Sequence, residues 1–308
     1  MSTITTNATT NATTNATTNT PSKSTITVQS ATPRSIVAYL NPLAMVASLW
    51  RNRALAVALA KRDIEQKYKA HRLGILWVLV NPLVLLAVYT FVFSVVFPTK
   101  LTDQKEEKLG LFALAVFAGL LTFGIFREVA ARAPMVIVSN RHFVTKMVFP
   151  LEILALAEVL SALFNFAIGM VVWLVGYGFI VREVPTWHAL LVPVLILPVC
   201  LAGLGVSWIF SSLGAFLRDL TSMVELAVTV LFFITPIFFR LDRLPAEYQH
   251  ALSYNPLAHV IQGVRSALLD HAEPDWAWFG WALAGSLALA VVGYAFFMKS
   301  KRAFADVL

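Results

Sequence analysis

Long apolar stretches recur along the 308-residue chain, separated by shorter polar segments. A bilayer core about 30 Å thick needs roughly 20 apolar residues in a helix, because unpaired backbone groups are costly in lipid. Six stretches meet or approach this length and predict spans over residues 73–97, 109–131, 155–181, 188–217, 220–239 and 276–298. The pattern therefore predicts an all-α membrane protein with six transmembrane helices.

Two polar segments precede the first span. Residues 1–30 contain the repeat NATTNATTNATT and no apolar core for a signal peptide, so we expect a disordered low-complexity tail. Residues 31–72 combine cations with apolar residues at helical spacing, namely Trp50, Val57, Ile64 and Tyr68. This spacing predicts a cytoplasmic interfacial region with a basic amphipathic helix over residues 50–69; an ordinary juxtamembrane tail is the alternative.

Two segments between spans also have helical patterns. Residues 139–146 begin at a Ser-Asn cap and mix apolar residues with cations, which predicts either a docking helix for a soluble partner or a solvated loop. In residues 240–275, the pair Asn255-Pro256 is typical of a helix start. An apolar stripe follows: Leu257, Val260, Ile261, Val264 and Leu268. Because such a stripe needs to be buried, we predict a re-entrant helical hairpin between spans five and six.

Lysine and arginine are unevenly distributed among the polar segments. If both termini face the cytoplasm, 17 of these residues lie inside and seven outside. Cytoplasmic loops carry the excess of Lys and Arg in membrane proteins. We therefore expect a six-span domain over residues 73–298, both termini inside, and a cytoplasmic tail over residues 299–308.

The composition excludes several classes of protein. Hydrophobic residues make up 58% of the chain and charged residues 13%, against roughly 25% charged in soluble domains. The single cysteine, Cys200, excludes a disulfide framework. The sequence has no GxxxxGK[ST] loop, no HExxH and no GxSxG. We therefore expect no catalytic residues, metal site or cofactor in this chain, and no nucleic-acid partner.

Ionisable and aromatic residues in the spans are candidate functional groups. Glu225 follows Arg218 and Asp219 by about two turns, which predicts an ion network at the entrance of span five; a proton relay is the alternative. Aromatic residues in span one either fill the membrane or line a pore on which sugar rings stack.

Several motifs together resemble one family, the ABC-transporter permeases that export lipid-linked polysaccharides. O-antigen export permeases are the most similar, and teichoic acid and capsule exporters are relatives. The resemblance extends from about Trp50 to the end of the chain and rests on Lys61-Arg62-Asp63-Ile64, Tyr68-Lys69, Leu73-Gly74-Ile75-Leu76-Trp77, Asn81-Pro82-Leu83, Tyr89-Thr90-Phe91-Val92-Phe93, Ser139-Asn140 through Lys146, Phe149-Pro150, Arg218-Asp219, Asn255-Pro256-Leu257 and Phe304-Ala305-Asp306-Val307-Leu308. His71 departs from the family pattern, which has a small polar residue there, and the NATT tail matches nothing in it.

The resemblance implies a homodimer that works with two copies of a separate ATPase, which binds ATP and Mg. A coupling helix would seat on the ATPase, with the residues Ser139, Asn140, Arg141, His142, Phe143 and Lys146. A channel between the subunits would be lined by the aromatics of spans one and five, Trp77, Tyr89, Phe91, Phe93, Phe232 and Phe233. A gate hairpin would contain Tyr254, Asn255, Pro256, His259 and Arg265.

The expected function is export of lipid-linked polysaccharide, O-antigen on polyprenyl diphosphate first of all, across the bacterial inner membrane. Four cations would attract the diphosphate head group: Arg51, Arg53, Lys61 and Arg62. Capsule or teichoic acid export is the alternative within the family. A proton-coupled flippase would need buried ionisable groups through its core, and a membrane-bound glycan transferase would need a polar cluster in a large outer loop.

Overall fold

A computed structural model gives the fold of the chain. It describes residues 39–69, 77–92, 107–145, 149–183, 185–217, 219–239, 247, 252, 255–301, 303 and 304. All regular secondary structure in these residues is helical, and no strand occurs among them. The predicted all-α fold class is thereby confirmed.

The described residues contain the following helical elements. In order they are α1 (Pro42–Arg51), α2 (Arg53–Lys69), α3 (Trp77–Phe91), α4 (Glu107–Arg132), α5 (Val136–Ser139), α6 (Arg141–Thr145), α7 (Ile153–Ile180), α8 (Val192–Leu195), α9 (Leu197–Gly214), α10 (Leu220–Ile234), α11 (Pro256–Arg265) and α12 (Trp276–Ser300). Short 3₁₀ turns at Ala133–Met135 and Trp187–Leu191 join α4 to α5 and precede α8. A π-helical turn, Ser266–Asp270, continues α11.

Four helical stretches are long and apolar enough to cross a membrane. They are Gly110–Ser139, Ile153–Ile180, Trp187–Gly214 and Trp276–Ser300. Each coincides with a predicted span, the second, third, fourth and sixth. Their positions follow from long, largely apolar stretches, which satisfy the backbone only as helix in lipid.

The first and fifth predicted spans contain shorter helices. In span one the structure describes only residues 77–92, where α3 has 15 residues. In span five, α10 ends at Ile234, before the predicted end at residue 239. Thr235 is extended, with ψ 132°, because a residue before proline is pushed out of the α conformation and Pro236 follows it. The count of six spans therefore stays a prediction.

The predicted amphipathic helix over residues 50–69 is divided in two. Helices α1 and α2 meet at Asn52 and bend by 64°. The Asn52 side chain donates to the Ser48 carbonyl at 2.9 Å and so ends α1. Helix α2 packs against α7 and buries Ala56, Leu59 and Ala60, whereas Val57 is exposed. Two alanines and a leucine therefore form the face that joins α2 to the bundle.

Helices α9 and α12 pack closely against each other. Glycines lie at the crossing point: a Cβ on Gly205 would stand 2.7 Å from the carbonyl carbon of Leu289, and a Cβ on Gly293 would overlap the Gly205 carbonyl oxygen. Small residues let helix backbones approach closely, which is a common means of association in membranes. The two glycines thus set the spacing of the bundle's central pair.

The bundle has two polar ends, and we name them by what they contain. The basic end carries α2, the last turns of α4 and α12, and the first turn of α7, which are linked by ion pairs described below. The opposite end carries α11 and the first turn of α12. Helix α11 packs there against α4 and α12.

The apolar stripe predicted after residue 255 is buried as expected: Leu257, Val260, Ile261, Val264 and Leu268. The Asn255 side chain accepts from the Leu257 amide at 3.0 Å, and Pro256 is the first helical residue, which confirms the predicted cap of α11. Most of residues 240–254 lie outside the described residues, so the predicted hairpin remains a prediction.

Candidate functional site

A cluster of charged side chains joins three helices at the basic end. Arg132 of α4 donates to both oxygens of Asp63 on α2, at 2.8 and 2.6 Å. The same guanidinium lies 3.1 Å from Glu158 of α7. Lys67 of α2 pairs with Glu128 of α4. Helix α2 is therefore fastened to the membrane-crossing helices by two ion pairs, one turn apart.

Two polar side chains of α7 complete this cluster. The Asn165 amide donates to both oxygens of Glu128, at 3.0 and 2.9 Å, and the Ser161 hydroxyl donates to Asp63 at 3.0 Å. Burial raises the pKa of Asp63, but the hydrogen bonds and charge of Arg132, together with Ser161, outweigh it and hold that pKa below its usual range. Asp63 therefore stays ionised and paired.

The predicted coupling segment lies beside this cluster and is anchored at two points. Asn140 donates to the Val136 carbonyl at 2.9 Å, which closes α5, and its side-chain oxygen accepts from Arg62 of α2 at 3.3 Å. The Phe143 ring stacks on Phe149, with centroids 4.3 Å apart, and the Arg62 guanidinium lies 5.6 Å from the Phe143 centroid. Helix α6 is thus held to α2 and to the residues that precede α7.

The side chains of the coupling segment differ in exposure. Ser139, Arg141 and His142 are exposed, while Phe143 is half-buried by its stacking partners. Lys146 lies outside the described residues. The surface that a soluble partner could contact is therefore formed by Arg141 and His142. Phe143 instead holds the segment in place through its stacking contact with Phe149.

Glu152 is a second connection at the basic end. Its carboxylate accepts from Ser48 of α1 at 3.3 Å and pairs with Lys301, after α12, at 2.9 Å. Its backbone carbonyl accepts from the indole of the buried Trp208 of α9 at 3.0 Å. The residues that precede α7 are therefore tied to α1, α9 and the end of α12.

The four cations predicted to attract a head group all lie on exposed parts of α1 and α2. Arg53 folds back onto Trp50: it donates to the Trp50 carbonyl at 3.1 Å and lies 4.7 Å from its ring centroid. Arg62 binds Asn140, as described above. Arg51 and Lys61 are exposed. These cations are therefore at the same end as the coupling segment.

Among the predicted channel aromatics, Tyr89 and Phe232 both contact Phe238. Phe232 is half-buried, with its ring centroid 5.4 Å from Phe123 and 5.5 Å from Phe238. Tyr89 of α3 lies 6.2 Å from Phe238. Phe233 points away from the bundle with 68% of its surface exposed. Tyr89 and Phe232 thus pack inside the subunit, whereas Phe233 faces outward.

The outward face of α10 is mostly apolar, although Glu225 and Thr229 are also exposed on this helix. Besides Phe233 it presents a stripe of exposed side chains, Met223, Leu226, Val230 and Ile234. Phe91 of α3 is also exposed. The Trp77 side chain and Phe93 lie outside the described residues. An apolar face of this length is buried either by lipid or by another protein surface.

The predicted ion network in span five is only partly described, because Arg218 lies outside the described residues. Asp219 and Glu225 are both exposed. The backbone carbonyl of Glu225 accepts from the Thr229 hydroxyl at 2.8 Å. The network therefore remains a prediction, with Glu225 placed on the exposed part of α10.

At the opposite end, Arg265 binds three backbone carbonyls. It is only 7% exposed and donates to Ala115 of α4 at 2.8 Å, to Pro236 at 3.0 Å and to Ile237. Carbonyls 236 and 237 lie directly after α10 ends. The guanidinium therefore fastens the end of α10 and the end of α11 to α4.

The other predicted gate residues surround this contact. The Asn255 amide donates to the Thr235 hydroxyl at 3.0 Å, which links the cap of α11 to the end of α10. His259 stacks on Trp278 of α12, with centroids 4.1 Å apart and planes 8° from parallel. Pro256 begins α11, and Tyr254 lies outside the described residues.

Sequence reasoning missed the charged cluster at the basic end. Glu128 and Arg132 have the four-residue spacing of a helical pair, but their partners on α2 and α7 are 26 to 69 residues away in the chain. One signal was available. Glu158 lies in an apolar stretch, and a carboxylate there calls for a cation on a neighbouring helix.

The chain is similar to known proteins over most of its length. The ABC-2 type transporter family matches residues 54–269. The chain is 29% identical over 258 residues to "O-antigen export system permease protein RfbA" of Klebsiella pneumoniae, covering 82% of this chain and 95% of that protein. The protein of the same name from Myxococcus xanthus is 27% identical, covering 85% and 98%. "Polysialic acid transport protein KpsM" of Escherichia coli is 24% identical, covering 80% and 93%.

The family match spans α2 through the π-helical turn after α11 and thus includes most of the features described above. The four long apolar helices agree with a multi-pass membrane protein. The resemblance drawn from the sequence motifs is confirmed, and the chain belongs to the ABC-2 type transporter family.

Proposed function

We propose that the chain is the permease subunit of an ATP-driven exporter that moves lipid-linked polysaccharide across the bacterial inner membrane. The proposed cargo is O-antigen on polyprenyl diphosphate. Support comes from relatives at 27–29% identity that carry the O-antigen export name and are matched over 95% or more of their length. As a subunit of this kind the chain moves substrate, and ATP with Mg belongs to a partner.

The attachment of α6 is the observation that carries the proposal. Contacts with Arg62 and Phe149 hold this short helix to α2 and to the start of α7. Helix α2 is in turn joined to α4 by the ion pair between Asp63 and Arg132. A push on α6 by a soluble ATPase would therefore reach two membrane-crossing helices through packed and charged contacts. A solvated loop, the alternative left open by the sequence, needs no such attachment.

The exposed apolar face of α10 supports a homodimer in which two ATPase copies bind below. A second copy placed against Met223, Leu226 and Phe233 would bury this face. Phe233 and Phe91 would then border a path between the subunits, with Tyr89 and Phe232 behind them. Aromatic faces suit sugar rings because they offer stacking and apolar contact without binding charge.

The basic end supports the proposed entry of the lipid head group. Both chain termini and this end would be cytoplasmic, since 17 Lys and Arg fall on that side and seven on the other. Arg51, Arg53, Lys61 and Arg62 would attract the diphosphate. Because Arg62 also contacts Asn140, head-group binding and ATPase contact would act on the same part of α2.

Capsule export is the second candidate, and one observation favours it: the relative named for polysialic acid transport covers 80% of this chain at 24% identity. Teichoic acid export is the third. These candidates share the proposed subunit mechanism and differ in cargo. Deleting the gene for this chain distinguishes them, because the strain should lose the surface polysaccharide that the protein exports.

The experiment is co-purification with the candidate ATPase from an export-competent strain, wild type against Arg141→Glu. Arg141 is exposed on α6, so charge reversal should weaken ATPase contact without opening the Phe143 stack. We expect loss of stimulated ATP hydrolysis and of surface polysaccharide by about tenfold or more, the effect of one unfavourable contact charge. Lys299→Glu is the matched control, since Lys299 is an exposed cation at the same end.

Two results would contradict the proposal. Equal ATPase binding and export by wild type and Arg141→Glu would remove α6 from the ATPase interface. If no ATPase co-purifies with a monodisperse wild-type preparation, the result would favour the flippase and transferase alternatives.

A further inference from the structure

A cavity of about 450 Å³ lies at the opposite end of the bundle, between α11 and the start of α12. Leu195 of α8 closes one side. The size is within the range of small-molecule and cofactor sites, about 300–1,000 Å³. None of its lining residues belongs to α3 or α10, which carry the proposed channel aromatics. The cavity therefore lies apart from the proposed channel aromatics and beside the predicted gate residue His259.

One wall of the cavity is aromatic and apolar. Trp278 stacks on His259, which fixes the indole plane, and Phe279 and Leu195 extend this wall inward. Trp276, Trp278 and Trp281 are all exposed at the start of α12. Tryptophan collects at the level of lipid head groups, so the cavity mouth lies at the membrane–water boundary.

The rim of the cavity is acidic. Glu273 and Asp275 line it, and no lysine or arginine does so among the described residues. Asp275 is held in place because its side chain accepts from the Ala277 and Trp278 amides, at 3.0 and 3.2 Å. Two carboxylates beside an indole face attract an organic cation by charge and by cation–π contact.

Neutral donors lie deeper in the same cavity. Gln262 and Ser266 of α11 and the adjoining π-helical turn are half-buried and line it. An amide and a hydroxyl can donate to phosphate oxygens without adding charge. The cavity thus combines an acidic rim, neutral donors and an apolar wall, in an order that matches ammonium, phosphate and acyl chain.

We propose that this cavity binds the head group of a zwitterionic phospholipid, with phosphatidylethanolamine as the preferred ligand. Its primary ammonium would lie between Glu273, Asp275 and the indole of Trp278, and its phosphate would reach Gln262 and Ser266. An acyl chain would follow Phe279 and Leu195. A neutral glycan fits less well, because it has no apolar chain to lie against the apolar wall. An anionic lipid would be repelled by the rim.

The test is native mass spectrometry of the detergent-solubilised full chain with phosphatidylethanolamine, phosphatidylcholine or phosphatidylglycerol of identical acyl chains. We expect wild type to retain phosphatidylethanolamine most strongly and phosphatidylglycerol least. The double variant Glu273→Gln, Asp275→Asn should lower phosphatidylethanolamine retention roughly fivefold, the size of a partly exposed charge contact with a cation–π contribution. Asparagine still caps α12, so the helix start is preserved.

The matched control is Glu183→Gln, Asp270→Asn, which removes two exposed carboxylates outside the cavity. It should bind lipid as wild type does. The proposal would be overturned if wild type retained phosphatidylglycerol as strongly as phosphatidylethanolamine. It would also be overturned if the Glu273 and Asp275 variant retained phosphatidylethanolamine as strongly as wild type does. A soluble oligosaccharide that displaces the lipid in a carboxylate-dependent way would overturn it too, because that identifies a glycan site.

A second variant keeps the test decisive if the double variant does not fold. Trp278→Leu keeps an apolar wall but removes the π face, so a folded Trp278→Leu protein must also lose phosphatidylethanolamine retention. Normal retention by that variant would equally overturn the proposal. Lipid retention is measured on the permease without an ATPase, so its outcome is independent of the export experiment.

Discussion

The two ends of the bundle are held by different kinds of interaction. At the basic end, charged side chains on separate helices pair with one another, as Arg132 does with Asp63 and Glu158. At the opposite end, Arg265 donates to three backbone carbonyls and is only 7% exposed, whereas the paired side chains of Arg132 and Asp63 are 32% and 24% exposed. One end joins side chains; the other fixes the backbone.

This difference assigns different mechanical roles to the two ends. Side-chain ion pairs can follow small helix shifts, because Arg132 already pairs with three acids and each can keep its charge satisfied. A guanidinium shared by three carbonyls requires those carbonyls to keep their positions. We therefore expect the basic end to transmit movement and the Arg265 contact to hold the end of α10 in place.

The largest effect is expected for Arg265→Met. It leaves the carbonyls of Pro236 and Ile237 buried without this donor, which should lower the free energy of unfolding by about 3 kcal/mol. Arg265→Lys should recover only part of the loss, because one ammonium cannot reproduce the planar fork of donors. Thermal unfolding in detergent measures both. Arg182→Gln is the control, because Arg182 is an exposed cation at the same end. If Arg265→Met has the same Tm as this control, the Arg265 contact does not stabilise the protein.

A smaller loss, about 2 kcal/mol, is expected for Arg132→Gln. The substitution leaves Asp63, Glu128 and Glu158 close together with Lys67 as the remaining cation, but these groups are partly solvated, which reduces the cost. Lys299→Gln is the control at this end. Combined with Arg265→Met, the two losses should add, because distant sites are independent. A strong departure from additivity would mean that the ends are coupled through the bundle.

The sequence predicted those elements whose cause is local. Four spans follow from apolar runs long enough to cross a membrane, and the cap of α11 follows from Asn255-Pro256. The early end of α10 was also readable, since Pro236 pushes Thr235 out of the helix. The hydropathy of residues 235–239 concealed that signal, because apolarity continues after the helix has ended.

Contacts between distant helices could not be predicted in the same way. Arg265 has a helical position that the sequence gives, but nothing in the sequence names the carbonyls of Ala115 and Pro236 as its partners. The same holds for Asp63, which belongs to a recognisable motif, because nothing in that motif identifies Arg132 as its partner. The hydrophobic pattern predicts which face of a helix is buried, whereas the packing of the helices decides which atoms on that face are in contact.

The smallest effect is expected at Asn255, which has two roles at the opposite end. It caps α11 through the Leu257 amide, and it binds the Thr235 hydroxyl after α10. Asn255→Ala removes both contacts and should cost about 1 kcal/mol, the usual value of a lost cap. Asn255→Ser keeps a capping oxygen but is too short to repeat the contact with Thr235. If thermal unfolding shows that serine restores nearly all of the loss, Arg265 alone carries the connection between α10 and α11. If serine is no better than alanine, the Asn255–Thr235 bond shares that work, and the end of α10 is held by two residues of α11 and its cap acting together.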